Sequence, residues 1–199
     1  LNWINILHRA IREEIPLLIT YKSFKTDTPS DAVYFPYLLK EYRNRWFLIC
    51  RHKKNNGIQT LALDRIHDIA EMAKSHFEPY EGVDFERYYA DTIGVTKSLK
   101  DRGNKVLLHV ESKNAPYVET KPLHNSQQIL NRFDDGSIII RIDVVLNFEL
   151  EREILGFGEC MKVLAPRYLV NRIKRRITQS MNQYSDSPSK EQKTKEENQ

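Results

Sequence analysis

The chain has 199 residues, of which 40% are hydrophobic and 29% are charged, and its formal net charge is +4. This is the composition of an ordinary soluble globular protein, long enough for one substantial core or two small ones, and its slight basic excess permits an anionic partner without requiring one. No apolar run approaches the roughly 18 to 20 residues that span a bilayer, and the N-terminus lacks the features of a signal peptide, so the sequence predicts a cytoplasmic protein with no membrane partner. Cys50 and Cys160 lack the CxxC spacing of a metal or redox site and are expected to be reduced, structural thiols.

The first part of the chain is predicted to be a helix that leads into a small barrel. Residues 1–14 form the helix, because Trp3, Leu7 and Ala10 are spaced to share one of its faces. Residues 15–76 follow as a strongly bent antiparallel barrel, in which apolar and polar residues alternate. Its four strands are expected at 17–22, 33–39, 46–50 and 58–63.

Three local signals refine this barrel. Pro36 lies inside the second strand and argues for an edge strand or a bulge, because proline has no N–H to donate to a neighbouring strand. Asn56-Gly57 predicts a hairpin between the third and fourth strands. Asp64 is expected to cap a short helix that follows the fourth strand.

A second unit is predicted beyond a linker. Between residues 77 and 105, prolines and glycines stand among charged residues, which is typical of a linker. Residues 106–184 then show strand patterns at 106–110, 128–133, 137–146 and 161–164, and helix patterns at 115–120, 148–155 and 168–184. This order, βαββαβ with an extra helix, predicts a ferredoxin-like domain and an α+β fold class for the whole chain. Residues 185–199 have nothing to bury and are expected to be disordered.

The segment 34–66 interleaves aromatic rings and basic side chains within the predicted barrel. Its basic residues are Arg43, Arg45, Arg51, Lys53, Lys54 and Arg65, and its candidate stacking rings are Tyr37, Trp46 and Phe47. Such a surface suits nucleic acid or nucleotides, because the charges attract phosphate and the rings stack on bases. The alternative is a set of core strands with solvated charges on the outer face.

An ordered set of short motifs resembles the WYL-domain transcriptional regulators of bacteria. The set in the first half is Tyr21, Pro36, Trp46-Phe47-Leu48, which stands where the family has Trp-Tyr-Leu, and Leu63-Asp64-Arg65-Ile66. The second half resembles the family's C-terminal extension, called WCX, at 124–127, 135–137, 156–158 and 163–166. The resemblance implies a WYL domain with an Sm-like or SH3-like barrel, a ferredoxin-like WCX domain, and a winged helix-turn-helix that would precede Leu1 and is missing from this sequence.

The resemblance also implies a ligand. WYL domains are thought to sense nucleic acid or a nucleotide-like ligand and to change how the attached winged helix binds duplex DNA. A site of this kind needs a guanidinium for phosphate, hydroxyls for hydrogen bonds and a ring for stacking, and the matching residues here are Arg65, then Tyr21 with Ser23, then Trp46.

Part of the family's usual basic pocket is absent. Gln59, Leu61 and Ala62 stand where family members often have basic or aromatic residues before the Asp-Arg-Ile motif. Either the ligand differs, or other residues of the third strand and its hairpin compensate. The compensating residues would be Arg45, Arg51, His52 and Lys53.

Two of these site residues have structural alternatives. Neighbouring strand residues point to opposite faces, so Trp46 and Phe47 cannot both line one site, and Trp46 could instead be a buried anchor of the barrel. Arg65 could form an ion pair with a nearby acidic side chain.

Two function hypotheses follow from the sequence. The first is a ligand-sensing half of a transcriptional regulator, which binds single-stranded DNA or RNA, or a nucleotide-like ligand, and controls a missing DNA-binding domain. The second is a protein-interaction module that forms a homodimer and has no nucleic-acid ligand. The histidines lack metal-ligand spacing and no acidic group has an evident catalytic partner, so no metal, cofactor or enzyme activity is expected.

Overall fold

A computed structural model describes residues 3–185, so the predicted disordered tail lies outside the described residues except for Ser185. The described chain is a mixed α+β structure with two antiparallel sheets. Its elements in chain order are α1 (Ile4–Arg12), β1 (Leu17–Tyr21), β2 (Ser30–Tyr42), β3 (Arg45–His52), β4 (Ile58–Ala62), β5 (Ile66–Glu71), β6 (Asn104–Val110), α2 (Ala115–Thr120), β7 (Gln128–Arg132), β8 (Ile138–Val144), α3 (Phe148–Gly156), β9 (Met161–Ala165) and α4 (Arg167–Gln183). None of these helices is long and apolar enough to cross a lipid bilayer.

The first sheet has the strand order β4-β3-β2-β1-β5 and packs against α1. Leu7 and Ala10 of α1 are fully buried, as are Leu17 and Ile19 of β1. Leu18, between the two buried residues of β1, is exposed, which is the alternation that predicted this strand. The predicted helix and the four predicted strands are therefore present.

A fifth strand replaces the short helix that was expected after Asp64, and that expectation is wrong. Residues Leu63–Arg65 form a single 3₁₀ turn, whose N-cap is Ala62 and which has no side-chain cap. The chain then continues as β5, paired with β1. Its register shifts at a bulge, since Tyr21 lies opposite Ile66 whereas Thr20 lies opposite Asp68. Because His67 is the extra residue of the bulge, Ile66 and Ile69 both face the core although they are three positions apart. That spacing is typical of a helix and not of a strand.

Pro36 marks a bulge and not an edge. The β2–β3 register shifts between Pro36 and Leu38. Strand β2 itself lies between β3 and β1 in the sheet, so the proline is accommodated by local disruption of the ladder inside the sheet.

The second sheet has the strand order β7-β8-β6-β9. Helix α2 lies between β6 and β7, and α3 lies between β8 and β9, so the predicted order of strands and helices is present. Leu150 and Ile154 of α3, with Leu169 and Ile173 of α4, bury against this sheet. The closure of the first sheet into an Sm-like barrel and the ferredoxin-like assignment of the second unit stay predictions.

The connection between the sheets, residues 72–103, contains turns but no strand or helix. Tyr88 and Tyr89 nevertheless pack against Ile49 on the outer face of the first sheet, and burial raises the pKa of the Tyr89 phenol to about 12. Ile93 belongs to the core of the second sheet. Asn147 holds the same segment by donating to the Ile93 carbonyl at 2.8 Å. The connection is thus packed against both halves of the protein.

Candidate ligand-binding site

The 3₁₀ turn Leu63–Arg65 separates two adjoining hollows on the first half of the protein. The first hollow, of about 370 Å³, is lined by Lys22, Ser23, Phe24, Thr26, Asp27, Asp64, Arg65 and His67. The second, of about 360 Å³, is lined by Trp3, Asn44, Arg45, Trp46, Leu63, Asp64 and Ile66. Asp64 lines both, so the two hollows meet at this turn.

Arg65 is held by aromatic rings rather than by an acid. Its guanidinium carbon lies 5.0 Å from the centroid of the Tyr21 ring and 3.8 Å from that of Phe24. Its Nε donates to the carbonyl of Lys22 at 3.0 Å. No Asp or Glu among residues 3–185 forms an ion pair with it, so the structural alternative raised for Arg65 is not what this part of the chain adopts. The guanidinium therefore lies at the hollow without a carboxylate partner among residues 3–185.

Tyr21, the last residue of β1, and Ser23, two positions beyond it, lie beside Arg65. The Tyr21 hydroxyl accepts a hydrogen bond from the Ala62 backbone N–H at 3.3 Å, so the phenol also fixes the start of the turn. Ser23 lines the first hollow, and its hydroxyl oxygen accepts from the Lys25 backbone N–H at 3.2 Å. The structure thus brings these three predicted site residues together.

Trp46 and Arg45 belong to the second hollow. Trp46 is half-buried, packs against the first core and also lines the hollow, so it serves both as an anchor and as an accessible ring. Phe47 packs on the opposite face of the sheet, as expected for its neighbour in a strand. Arg45 is exposed and its Nη2 lies 2.8 Å from a carboxylate oxygen of Asp64. Asp64 is therefore paired with Arg45 and not with Arg65.

Four of the predicted site residues line neither hollow: Tyr21, which contacts Arg65, and three residues that lie apart from it, Arg51, His52 and Lys53. Arg51 projects from the opposite face of β3, where it forms an ion pair with Glu78 and lies 4.9 Å from the centroid of the Phe35 ring. His52 lies edge-on to Tyr34, with ring centroids 5.3 Å apart. Lys53 follows β3 at the start of the hairpin and is exposed. Arg51 is absent from the hollows because strand alternation places it on the face opposite to Trp46. His52 and Lys53 are absent because they lie far from Trp46 along the chain.

Sequence reasoning missed two aromatic residues of the site. Phe24 is 82% exposed, although it contacts the Arg65 guanidinium, and its only signal in the sequence is a lone ring beside a polar stretch. Trp3 lines the second hollow, and its indole N–H donates to the Ile66 carbonyl at 3.2 Å. An exposed ring next to an arginine offers one group for a base and one for a phosphate. Within residues 3–185 no cluster of His, Cys, Asp or Glu is arranged to hold a metal ion.

The comparisons with known proteins agree with this organisation. A family model described as the WYL domain matches residues 2–71, and one described as the WCX domain matches residues 104–181. A search of curated protein sequences found no match.

Two solved structures are similar over most of the chain. One is the proteasome accessory factor B/C (PafBC) of Arthrobacter aurescens, which is 17% identical, with 94% of this chain and 27% of that chain covered and a TM-score of 0.36. The other is a CRISPR Cas-related protein, which is 10% identical, with 90% of this chain and 50% of that chain covered and a TM-score of 0.48. The chain thus spans about a quarter of the length of the first and half of the second. Since the two domain models match in order and between them account for most of the sequence, the chain belongs to the WYL family of regulator-like proteins, with a WYL domain followed by a WCX domain.

Proposed function

We propose that this chain is the ligand-sensing part of a bacterial transcriptional regulator, and that its ligand is single-stranded nucleic acid or a nucleotide-like molecule. The match to WYL and WCX domains supports a regulatory sensor. The observation that carries the choice of ligand is the Arg65 guanidinium, which lies between the rings of Tyr21 and Phe24 at an open hollow.

The chemistry of this hollow suits a phosphate next to a flat group. A guanidinium binds phosphate oxygens with two parallel hydrogen bonds, and it does so best where no carboxylate competes. Asp64 is the acidic side chain next to Arg65 in sequence, and its partner is Arg45. The exposed ring of Phe24 then provides a face on which a base or another planar group stacks.

A route from the hollow to a preceding DNA-binding domain is also available. The turn that carries Arg65 leads directly into Ile66, whose carbonyl accepts the hydrogen bond from Trp3 at the start of α1. Suppose that the turn has two conformations and that a ligand binds one of them more tightly. That ligand would then shift α1 as well, because Trp3 is hydrogen-bonded to the turn. In the proposal, α1 passes that shift to a winged helix-turn-helix on its N-terminal side, which binds duplex DNA.

The same proposal covers the finer features of the fold and the setting of the whole protein. The first sheet would close as an Sm-like barrel, and the second half would be a ferredoxin-like domain. The full protein would act in the cytoplasm as a homodimer and as a regulator rather than an enzyme.

The test is a binding titration with fluorescently labelled oligonucleotides. Wild-type protein is titrated against single-stranded DNA, single-stranded RNA and common nucleotides at low and at high salt. Binding is expected to weaken as salt increases, and Arg65→Ala is expected to weaken it at least about tenfold, since a charge-assisted bond to phosphate is lost. Arg12→Ala is the matched control, because Arg12 is an exposed arginine of the same domain that pairs with Glu13. Absence of any binding by the wild type at low salt, or equal effects of the two variants, would overturn the proposal.

One observation favours the second candidate function, a protein-interaction or dimerisation module. Strand β7 lies at the edge of the second sheet, and all five of its residues are exposed, including Ile129 and Leu130. An exposed edge strand with apolar residues is suited to pairing with another chain. Analytical ultracentrifugation of the wild type and of Leu130→Lys tests this function, which predicts a dimer that the variant weakens whether or not nucleic acid is present.

A further inference from the structure

A third hollow lies where the turn between β2 and β3 meets the WCX domain. Its volume is about 680 Å³, which is larger than that of either hollow at the Leu63–Arg65 turn, and it shares no lining residue with them. Its lining comes from the end of β2 and the turn, from the connection, from α2 with the loop after it, and from α3. Pockets of about 300 to 1,000 Å³ are typical of sites for small organic molecules. The third hollow is therefore large enough for a molecule with two or three rings.

The walls of the third hollow are mostly apolar and aromatic. They are formed by Tyr42, Ile93, Tyr117, Pro122, Leu123 and Phe157. Ile93 is buried in the core of the second sheet, and Leu123 and Phe157 pack against that core. Since the core holds these three side chains in place, a ligand does not have to order them, which lowers the entropy that binding costs.

An ion pair joins the two domains at one side of the third hollow. The carboxylate of Glu153, on α3, accepts a hydrogen bond from the Tyr42 hydroxyl at 3.0 Å and another from Nη2 of Arg43 at 2.5 Å. Arg43 lies in the turn after β2, so the pair connects the WYL domain to the WCX domain. Because the Glu153 charge is already matched by Arg43, this acid does not suit the hollow to a cationic ligand.

Lys121 leaves the third hollow with a positive charge. The charged residues of the lining are Arg43, Lys121 and Glu153, so one positive charge is in excess. Glu119, the acidic residue nearest to Lys121 in sequence, pairs instead with Arg132. No carboxylate among residues 3–185 forms an ion pair with Lys121. The lysine is exposed, so its ammonium group is available at the mouth of the hollow.

We propose that the third hollow binds a small organic anion with an apolar, ring-containing body, such as an aromatic carboxylate. The body lies against Leu123 and Phe157, Tyr117 covers it, and the carboxylate pairs with Lys121 at the mouth. One excess positive charge matches one carboxylate. The phosphate of a nucleotide carries nearly two negative charges and would also meet the carboxylate of Glu153, so a nucleotide suits this hollow poorly.

This site is separate from the Arg65 hollow and goes beyond the proposed function, because it requires no nucleic acid. A molecule in the third hollow contacts both domains at once, since Tyr42 belongs to the WYL domain and Phe157 to the WCX domain. It would therefore favour the arrangement in which the two domains meet.

Two related fluorescent probes test the charge of the site on the whole chain. Anilinonaphthalene sulfonate is a small aromatic anion, and phenylnaphthylamine has the same rings without the sulfonate. Wild-type protein is expected to bind one molecule of either probe. Lys121→Gln is expected to weaken binding of the sulfonate about threefold and to leave the neutral probe unchanged, because an exposed ion pair is lost. Lys113→Gln is the matched control, since Lys113 is an exposed lysine before α2 that does not line the hollow.

A second variant tests the aromatic wall. Tyr117→Ala is expected to weaken binding of both probes about fivefold, because both lose the same ring contact. Tyr117 is 69% exposed, so its removal should leave the fold intact. Tyr168→Ala is the matched control, because Tyr168 is 62% exposed on the same domain and lies outside the hollow. Thermal unfolding of each variant identifies any loss that comes from instability.

The outcomes separate this inference from the proposed function. If Lys121→Gln and Tyr117→Ala act as expected while Arg65→Ala leaves the affinity for the sulfonate unchanged, the third hollow is a site of its own, whether or not the protein binds nucleic acid. If Arg65→Ala weakens the sulfonate as much as Tyr117→Ala does, the probe occupies the Arg65 hollow and the inference is refuted. The inference is also refuted if the wild type binds neither probe, or if Lys121→Gln and Tyr117→Ala match their controls. Naphthoate, an aromatic carboxylate, is expected to displace the sulfonate, and displacement by adenosine monophosphate instead would refute the assigned ligand class.

Discussion

The side-chain oxygen Oε1 of Glu149 accepts two hydrogen bonds from Thr96, one from the backbone N–H at 3.1 Å and one from the hydroxyl at 2.8 Å. It also accepts from the backbone N–H of Val95 at 3.1 Å. Glu149 lies in the first turn of α3, where the helix dipole favours a negative charge. A single buried carboxylate therefore fastens the connection between the domains to the WCX domain.

Removal of this carboxylate is expected to destabilise the protein. Glu149→Ala leaves the donors of Val95 and Thr96 without an acceptor, which costs roughly 2 to 4 kcal/mol of unfolding free energy. Glu149→Gln keeps one acceptor oxygen but loses the charge, so about 1 to 2 kcal/mol is expected. Urea denaturation measures both, with the exposed Glu159→Ala as control. If Glu149→Ala lost less unfolding free energy than the control, the Glu149 carboxylate would not fasten the connection to the WCX domain.

Gly94 is expected to tolerate no side chain. Its φ is +88°, and a Cβ atom there would lie 2.4 Å from Cγ of Glu149. Gly82 is the matched control, since its φ is +76° but nothing lies within 4 Å of the added atom. Gly82→Ala measures the backbone strain alone, about 1 kcal/mol, and Gly94→Ala is expected to cost roughly 2 kcal/mol more. Equal unfolding midpoints for the two variants would show that the connection shifts to make room for the Cβ atom at position 94 without cost.

Asp91 is expected to stabilise the fold only above acidic pH. Burial by itself would raise the pKa of the Asp91 carboxyl, but hydrogen bonds from Lys97 and Thr92 outweigh it, and the pKa is lowered. A lowered folded-state pKa gives stability that is present above the unfolded value, near 3.9, and is lost as the pH falls through the folded value.

Asp91→Asn is therefore expected to lower the unfolding free energy at pH 7 by about 1 to 3 kcal/mol, because the Lys97 ammonium, with its side chain 10% exposed, loses its charged partner. The difference between wild type and variant should shrink below about pH 4. Denaturation curves from pH 3 to pH 7 measure this difference, and the exposed Asp134→Asn serves as reference. If the difference in unfolding free energy stayed constant across that pH range, protonation of Asp91 would not be coupled to stability.

Phe24 is expected to matter for binding and not for stability. Because its ring is 82% exposed, Phe24→Ala should change the unfolding free energy by no more than about 0.5 kcal/mol. The loss of a stacking face beside Arg65 should weaken oligonucleotide binding about fivefold. Tyr184→Ala is the control, since Tyr184 is 87% exposed at the end of the described chain. Unchanged affinity in Phe24→Ala would remove this ring from the site.

Much of the fold is predictable where burial follows strict periodicity. In β8, Ile138, Ile140, Ile142 and Val144 are all buried, and their alternation alone identified the strand. Strand β5 escaped prediction because the bulge at His67 spaces its two buried isoleucines as a helix would. The register that creates the bulge depends on pairing with β1, more than forty positions earlier in the chain, and the local sequence contains no sign of it.

The candidate site was predictable only in part. Tyr21 ends β1 and Ser23 lies two positions beyond it, so their proximity follows from closeness in sequence and not from strand alternation. The contact of Arg65 with Phe24 depends on how β1 pairs with β5, and no local pattern contains that information. Arg51 was included for its charge, but strand parity sends it to the other face and to Glu78.

Tyr89 and Ile93 are four positions apart, yet they belong to different hydrophobic clusters. If the chain were divided between these two residues or to either side of them, at least one half of the protein would lose an apolar side chain that packs against it. The connection is thus a shared structural element, and a substitution in it is expected to affect the packing of both halves.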